Sequence, residues 1–114
     1  MTAVQKVRRA ARAALDRKAV DLLVLDVQGL SSVTDYFLLC SGKSTVHLET
    51  ITDAILEELK RAGVRPLHAE GVADSGWVLL DYGDVLVHVF LEETRVYYAL
   101  ERLWGDAPTL SVEG

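Results

Sequence analysis

The sequence predicts an α/β (α+β) fold in which a mixed sheet of about five strands is packed with helices. Three observations predict it. Segments with helical spacing of apolar residues alternate with apolar runs of strand length, and two of those runs are joined by a turn sequence. No repeat, low-complexity run or Pro/Gly-rich linker divides the 114 residues.

The first element is a helix. Val4, Val7, Ala11, Ala14 and Leu15 recur at i, i+3, i+4 spacing, and the basic residues fall mostly between them. Residues 21–27 form an apolar run rich in Leu and Val, and the cluster Gln28, Gly29, Ser31 and Ser32 closes it as a buried strand followed by a loop. A second strand over residues 36–41 leads to Gly42 and to a helix with Ser44 as its N-cap. Leu48, Ile51, Ile55, Leu59 and Ala62 form the inner stripe of that helix, with Glu49, Asp53, Glu57 and Lys60 outside and Gly63 supplying the left-handed residue that ends it.

Residues 64–69 are extended, and Pro66, which has no N–H to donate to a ladder, argues for an edge position. Residues 77–80 and 85–90 are strand-like, and Asp81, Tyr82, Gly83 and Asp84 join them as a hairpin. A last helix follows, with Thr94 as N-cap, apolar positions at Val96, Tyr97, Leu100, Leu103 and Trp104, and a stop at Gly105 and Pro108.

With half its residues apolar, a chain of this length buries roughly 65% of the surface its unfolded form exposes, enough for one core. A single domain over residues 1–105 with a flexible tail at 106–114 is expected. No apolar run approaches the ~20 residues needed to span a bilayer, and Cys40 has no second cysteine to pair with. These features point to a reducing, cytoplasmic setting with no membrane partner. The net charge of −5 is unevenly spread: residues 1–18 carry +5 and residues 70–114 carry −7. An acidic second half tracks nucleic-acid phosphates poorly and excludes DNA as a natural partner, whereas it suits a basic protein. The basic first helix leaves RNA contact as a secondary option.

Gly42-Lys43-Ser44 resembles the end of a phosphate-binding loop, but the full motif needs a glycine five positions earlier, where Phe37 stands. Asp81 and Asp84 have the spacing of turn residues rather than of metal ligands with a third carboxylate. His47, His68, His88 and Cys40 lack any spacing that brings two of them together locally as zinc ligands, and nothing identifies a base beside the thiol. The expectation is a protein that is not an enzyme and takes no cofactor or metal; a nucleotide-binding or nucleotidyltransferase-type enzyme is the alternative.

Several blocks in order carry a resemblance: Asp26-Val27-Gln28-Gly29, Thr34-Asp35-Tyr36-Phe37, Ser41-Gly42 with Ser44 and His47, and Glu70-Gly71. They continue through residues 77–85, Val87-His88-Val89-Phe90, Arg95, Tyr98, Leu100-Glu101 and Leu103-Trp104. The sequence is similar, over roughly residues 4–105, to the ribosome silencing factor (Iojap-like) family. The resemblance implies a nucleotidyltransferase-like fold without the catalytic acidic pattern. It also implies binding to the large ribosomal subunit through ribosomal protein fourteen, a block on subunit joining that represses translation, and a homodimer when free. Organelle relatives imply a ribosome assembly role as a second alternative.

A docking surface needs an aromatic anchor, apolar neighbours and a charged rim. Trp77 and Tyr82 are the candidate anchors, Leu79 the neighbour, and Asp81, Asp84, Glu92 and Glu93 the rim. Strand alternation puts Trp77, Leu79 and Asp81 on one face and turns Val78 and Leu80 to the core.

Overall fold

The computed structural model describes residues 1–98 and 107–112, the side chains of residues 96–98 excepted. Helix α1 spans Ala3–Asp16. Thr2 starts it with a capping box: its Oγ1 accepts from the Gln5 N–H, and the Gln5 side chain accepts from the Thr2 N–H at 2.9 Å. Val7, Ala10, Ala11, Ala13 and Ala14 form its buried stripe, and the small alanines allow a close approach to the next helix. Leu15, expected in that stripe, is exposed, because the helix turns it away from the sheet at its last turn.

Strands β1 (Val20–Asp26) and β2 (Tyr36–Gly42) pair antiparallel. Helix α2 covers Thr45–Arg61, and Ser44 caps it as the sequence predicts, its Oγ accepting from the His47 N–H at 3.1 Å. Gly63, at φ +80°, lies just past its end, and Ala62 caps the helix rather than continuing the stripe. Strand β3 (His68–Glu70) is short and exposed, and a single 3-10 turn at Ala73–Ser75 leads to β4 (Trp77–Asp81) and β5 (Val85–Leu91). Helix α3 spans Glu92–Tyr98. It starts two residues before the expected cap Thr94, directly out of β5. The rest of the predicted last helix, with Leu100, Leu103, Trp104 and its stop at Gly105, lies outside the described residues.

The five strands form one mixed sheet in the order β1-β2-β5-β4-β3, with β2 and β5 parallel and the other pairs antiparallel. β3 is the edge that Pro66 foretells. Helices α1 and α2 pack together over one face, where Val24, Leu38, Cys40, Val78, Leu80, Val85, Val87 and Val89 meet Leu48, Ile51, Ile55 and Leu59. The opposite face carries a second cluster of Leu25, Val27, Phe37, Leu39, Phe90 and Ala107, with Trp77 and Leu86 partly buried against it.

Residues 107–110, expected to fray, are held along β1. Asp26 N–H donates to the Pro108 carbonyl at 2.8 Å, Leu110 N–H donates to the Val24 carbonyl at 2.9 Å, and Thr109 bridges Leu25. These are backbone bonds, which any residue except proline can donate, so side-chain patterning carries no trace of them.

Candidate partner-binding face

The strand register assembles the second face in rows, because directly paired residues point to the same side of a sheet. Glu70, Leu79, His88 and Leu39 make one row; His68, Asp81, Leu86 and Phe37 make the next; Trp77, Phe90 and Ser41 make the third. The expected alternation in β4 is observed: Val78 and Leu80 are buried, while Trp77, Leu79 and Asp81 are half-buried on the second face.

Trp77 is positioned by its neighbours. Its indole Nε1 donates to His88 Nδ1 at 3.2 Å, and its ring lies 5.1 Å from Phe90 and 5.9 Å from His88, tilted in both cases. His88 is itself stacked against Phe90 and meets Phe37 edge-on. Accepting at Nδ1 requires a ring without a proton there, and burial pushes the His88 pKa down to about 4, so the imidazole is neutral and an acceptor near neutral pH. The anchor therefore has a fixed rotamer rather than a mobile ring, which lowers the entropy cost of binding.

Two expected site residues face elsewhere. Tyr82 is buried at 5% exposure within the helix-side core, because it continues the inward series of Val78 and Leu80 while its N–H donates to the Val85 carbonyl to close the hairpin. Among the described residues its hydroxyl has no hydrogen-bond partner, and burial pushes its pKa up to about 12. Asp84 is bound within the fold: Lys6 Nζ reaches its Oδ1 at 2.8 Å and ties α1 to the hairpin turn. Asp81 Oδ1 accepts from the Gly83 N–H at 2.7 Å, as a turn aspartate does. Glu92 and Glu93 are exposed where β5 ends, beside the Trp77 end of the hairpin.

Sequence reasoning missed Glu70 and His88 as members of this face. Both become legible only once the β3–β4 and β4–β5 registers are known, since those put them opposite Leu79. Between Glu70, Gly71, Ser75, Trp77 and Leu79 lies an open groove of about 310 Å³.

The residues that resembled active-site parts have structural duties. A Cβ on Gly42 would lie 2.8 Å from the Leu48 backbone nitrogen, so Gly42 is what lets β2 dock on the start of α2. His47 joins two elements, its Nδ1 accepting from the Lys43 N–H at 2.9 Å and its Nε2 lying 2.7 Å from the Arg17 carbonyl oxygen at the end of α1. Cys40 is fully buried in the core, and its thiol pKa is pushed up to about 12 by burial, with Arg95 pulling weakly the other way. A buried thiol of that pKa is not a nucleophile near neutral pH. Among the described residues no group of three or more His, Cys, Asp or Glu is placed to hold a metal ion.

Arg95 is buried where α3 leaves β5, and its Nη1 donates to the Asp21 carbonyl and to Ser41 Oγ, tying α3 to β1 and β2. No described helix is long and apolar enough to cross a membrane.

Comparison with known proteins agrees with this architecture. A ribosomal silencing factor from Bacillus subtilis is 44% identical over 104 residues, covering 91% of this chain and 88% of that protein. A crystal structure of a protein from Chromobacterium violaceum superposes with a TM-score of 0.88 at 35% identity, covering 92% of this chain and 88% of the other. The mouse protein named mitochondrial assembly of ribosomal large subunit protein 1 is 35% identical over 89 residues, which are 75% of this chain and 39% of that protein. The model of one family, described as ribosomal silencing factor during starvation, matches residues 1–114. With that match across all the elements described above, the chain belongs to the RsfS family of ribosomal silencing factors.

Proposed function

We propose that this protein binds the large ribosomal subunit through ribosomal protein fourteen and blocks association with the small subunit by occupying the joining face. The observation that carries the reading is the half-buried, rotamer-fixed Trp77 beside Leu79 on the sheet face opposite α1 and α2, with Asp81 at the other end of β4 and Glu92 and Glu93 just past the end of β5. An aromatic anchor in a partly apolar surface with an acidic rim suits a basic protein surface. Steric exclusion needs no bond making, so the protein acts without catalysis or a cofactor, in the cytoplasm where subunits meet. When free, it pairs with a second copy.

Sedimentation of the two subunits with and without the protein tests the partner and the consequence together. Added protein is expected to comigrate with large subunits and reduce the joined particle. Trp77→Ala should lose ~2 kcal/mol or more of binding, about thirtyfold in affinity. Subunits that join freely around bound protein refute the mechanism, and unchanged binding by Trp77→Ala refutes the mapped face. The name of the mouse relative favours a second reading, a role in large-subunit assembly. That reading predicts accumulation of incomplete large subunits when the protein is removed from growing cells.

A further inference from the structure

Strand β3 has backbone to spare. It pairs with β4 on one side only, and all three of its residues, His68, Ala69 and Glu70, are exposed. The other outer strand, β1, already bonds to residues 108–110. An outer strand left open accepts a further strand along its length, and main-chain hydrogen bonds supply the adhesion.

The side chains choose the occupant. His68 and Glu70 point to the same side of the sheet, with Ala69 turned the other way between them, and His68 Nε2 lies 2.7 Å from Glu70 Oε1. When β3 is laid antiparallel on a second β3 about a two-fold axis normal to the sheet, both copies keep the same face up, so the register can shift only in steps of two residues. Centred on Ala69, the arrangement sets each His68 opposite the partner's Glu70. A step either way sets His68 against the partner's His68 or Glu70 against the partner's Glu70, and like charges directly opposite repel. Just beyond the ladder, the exposed Leu67 comes opposite the partner's Gly71, where no side chain obstructs it.

We infer that free copies of this protein pair through β3, antiparallel about a two-fold axis at Ala69, so that two five-stranded sheets run on as one. The inference rests on the proposed pairing of the free protein and assigns that pairing a surface. A segment of an unrelated protein would have no cause to match His68 and Glu70 in both halves of the contact, whereas a second copy does so by symmetry. Three residues from each copy make a small contact, so the pair belongs with the weak interfaces below ~1,200 Å² and forms only at high protein concentration.

Two measurements test this, both on the full-length protein without ribosomes. Ala69→Cys puts a thiol on the axis, where directly opposite Cβ atoms lie about 4.5–5.5 Å apart, a small shift from disulfide distance. Cys40 is buried and takes no part. On mild oxidation Ala69→Cys should give a covalent dimer, and Val33→Cys, which is exposed on the loop between β1 and β2, should not. An Ala69→Cys protein that stays single, or that cross-links no faster than Val33→Cys, overturns the inference.

In the second, sedimentation over a wide range of concentration follows the monomer–dimer equilibrium. His68→Glu sets carboxylate against carboxylate and should weaken the dimer about tenfold, and adding Glu70→Lys restores unlike pairs and should recover it. An unchanged equilibrium in His68→Glu, or no recovery in the double variant, counts against β3. If the wild type dimerises while both tests of β3 fail, the copies meet elsewhere: this inference falls and the pairing itself stands. If the wild type is a monomer at every concentration, both fall.

Discussion

Two tyrosine and histidine positions show how far a single residue's environment decides its role. Tyr82 is an aromatic in a hairpin, the kind of residue that suggests an exposed anchor, yet strand alternation carried one step past Leu80 already turns it inward, where it is buried. Its hydroxyl, without a partner among the described residues, makes a prediction: Tyr82→Phe should be neutral or stabilise the fold by up to about 1 kcal/mol, since no hydrogen bond to those residues is lost. Urea unfolding checks it, and a loss beyond that size would mean that the hydroxyl has a partner. Binding to large subunits should not change.

His88 makes a pH prediction. Its folded pKa is about 4, below the ordinary 6.5, so as pH falls the unfolded chain takes up the proton first. The contribution is fully present above the unfolded value and is lost as pH falls from about 6.5 toward 4. Between pH 7.5 and pH 5 the wild type should lose about 2 kcal/mol that His88→Gln does not lose. Equal losses in the two proteins, measured by urea unfolding, would show that His88 titrates normally. Neither His88 nor Glu70 was legible as a site residue in the sequence, because their membership depends on strand register, which periodicity leaves open.

At the scale of elements, most of the fold could be read directly. The apolar stripe of α2 from Leu48 to Leu59, the cap at Ser44 and the hairpin of β4 and β5 stand where spacing and turn chemistry put them. The start of α3 did not, because no polar cap precedes Glu92 and the chain passes straight from strand to helix. The hold of residues 107–110 on β1 did not either, since it is made by backbone groups. Gly42 illustrates a signal with two readings. Beside Lys43 and Ser44 it suggests phosphate binding, but its close approach to Leu48 gives it a packing duty. Gly42→Ala should therefore destabilise the protein by about 1–3 kcal/mol, because the obstructing atoms are backbone and cannot swing aside. A denaturation midpoint equal to wild type would show that α2 can shift at no cost.

The whole molecule has two unlike sides. α1 and α2 cover one face of the sheet and present Arg8 and Arg12 to solvent, whereas the other presents Trp77, Leu79, Asp81 and Glu70. Two of the basic side chains are engaged at home, Lys6 with Asp84 and Arg9 with Glu58 at 3.3 Å. If the acidic side meets the large subunit, Glu92→Lys combined with Glu93→Lys should weaken binding severalfold and reduce its on-rate at low salt. Arg8→Glu with Arg12→Glu should leave it within about twofold, since charges beyond a Debye length of about 8 Å are screened. The reverse pattern, read by surface binding kinetics at two salt concentrations, would place the helix side against the ribosome.

The backbone cover that residues 108–110 lay over Val24 to Asp26 also sets how many neighbours the sheet can accept. A ladder lengthens only from a margin with unspent N–H and C=O groups, and here one margin is partly closed while the other, β3, is three residues long. Copies that join through β3 use up that margin on both sides, so such growth stops at a pair and cannot run on into a filament.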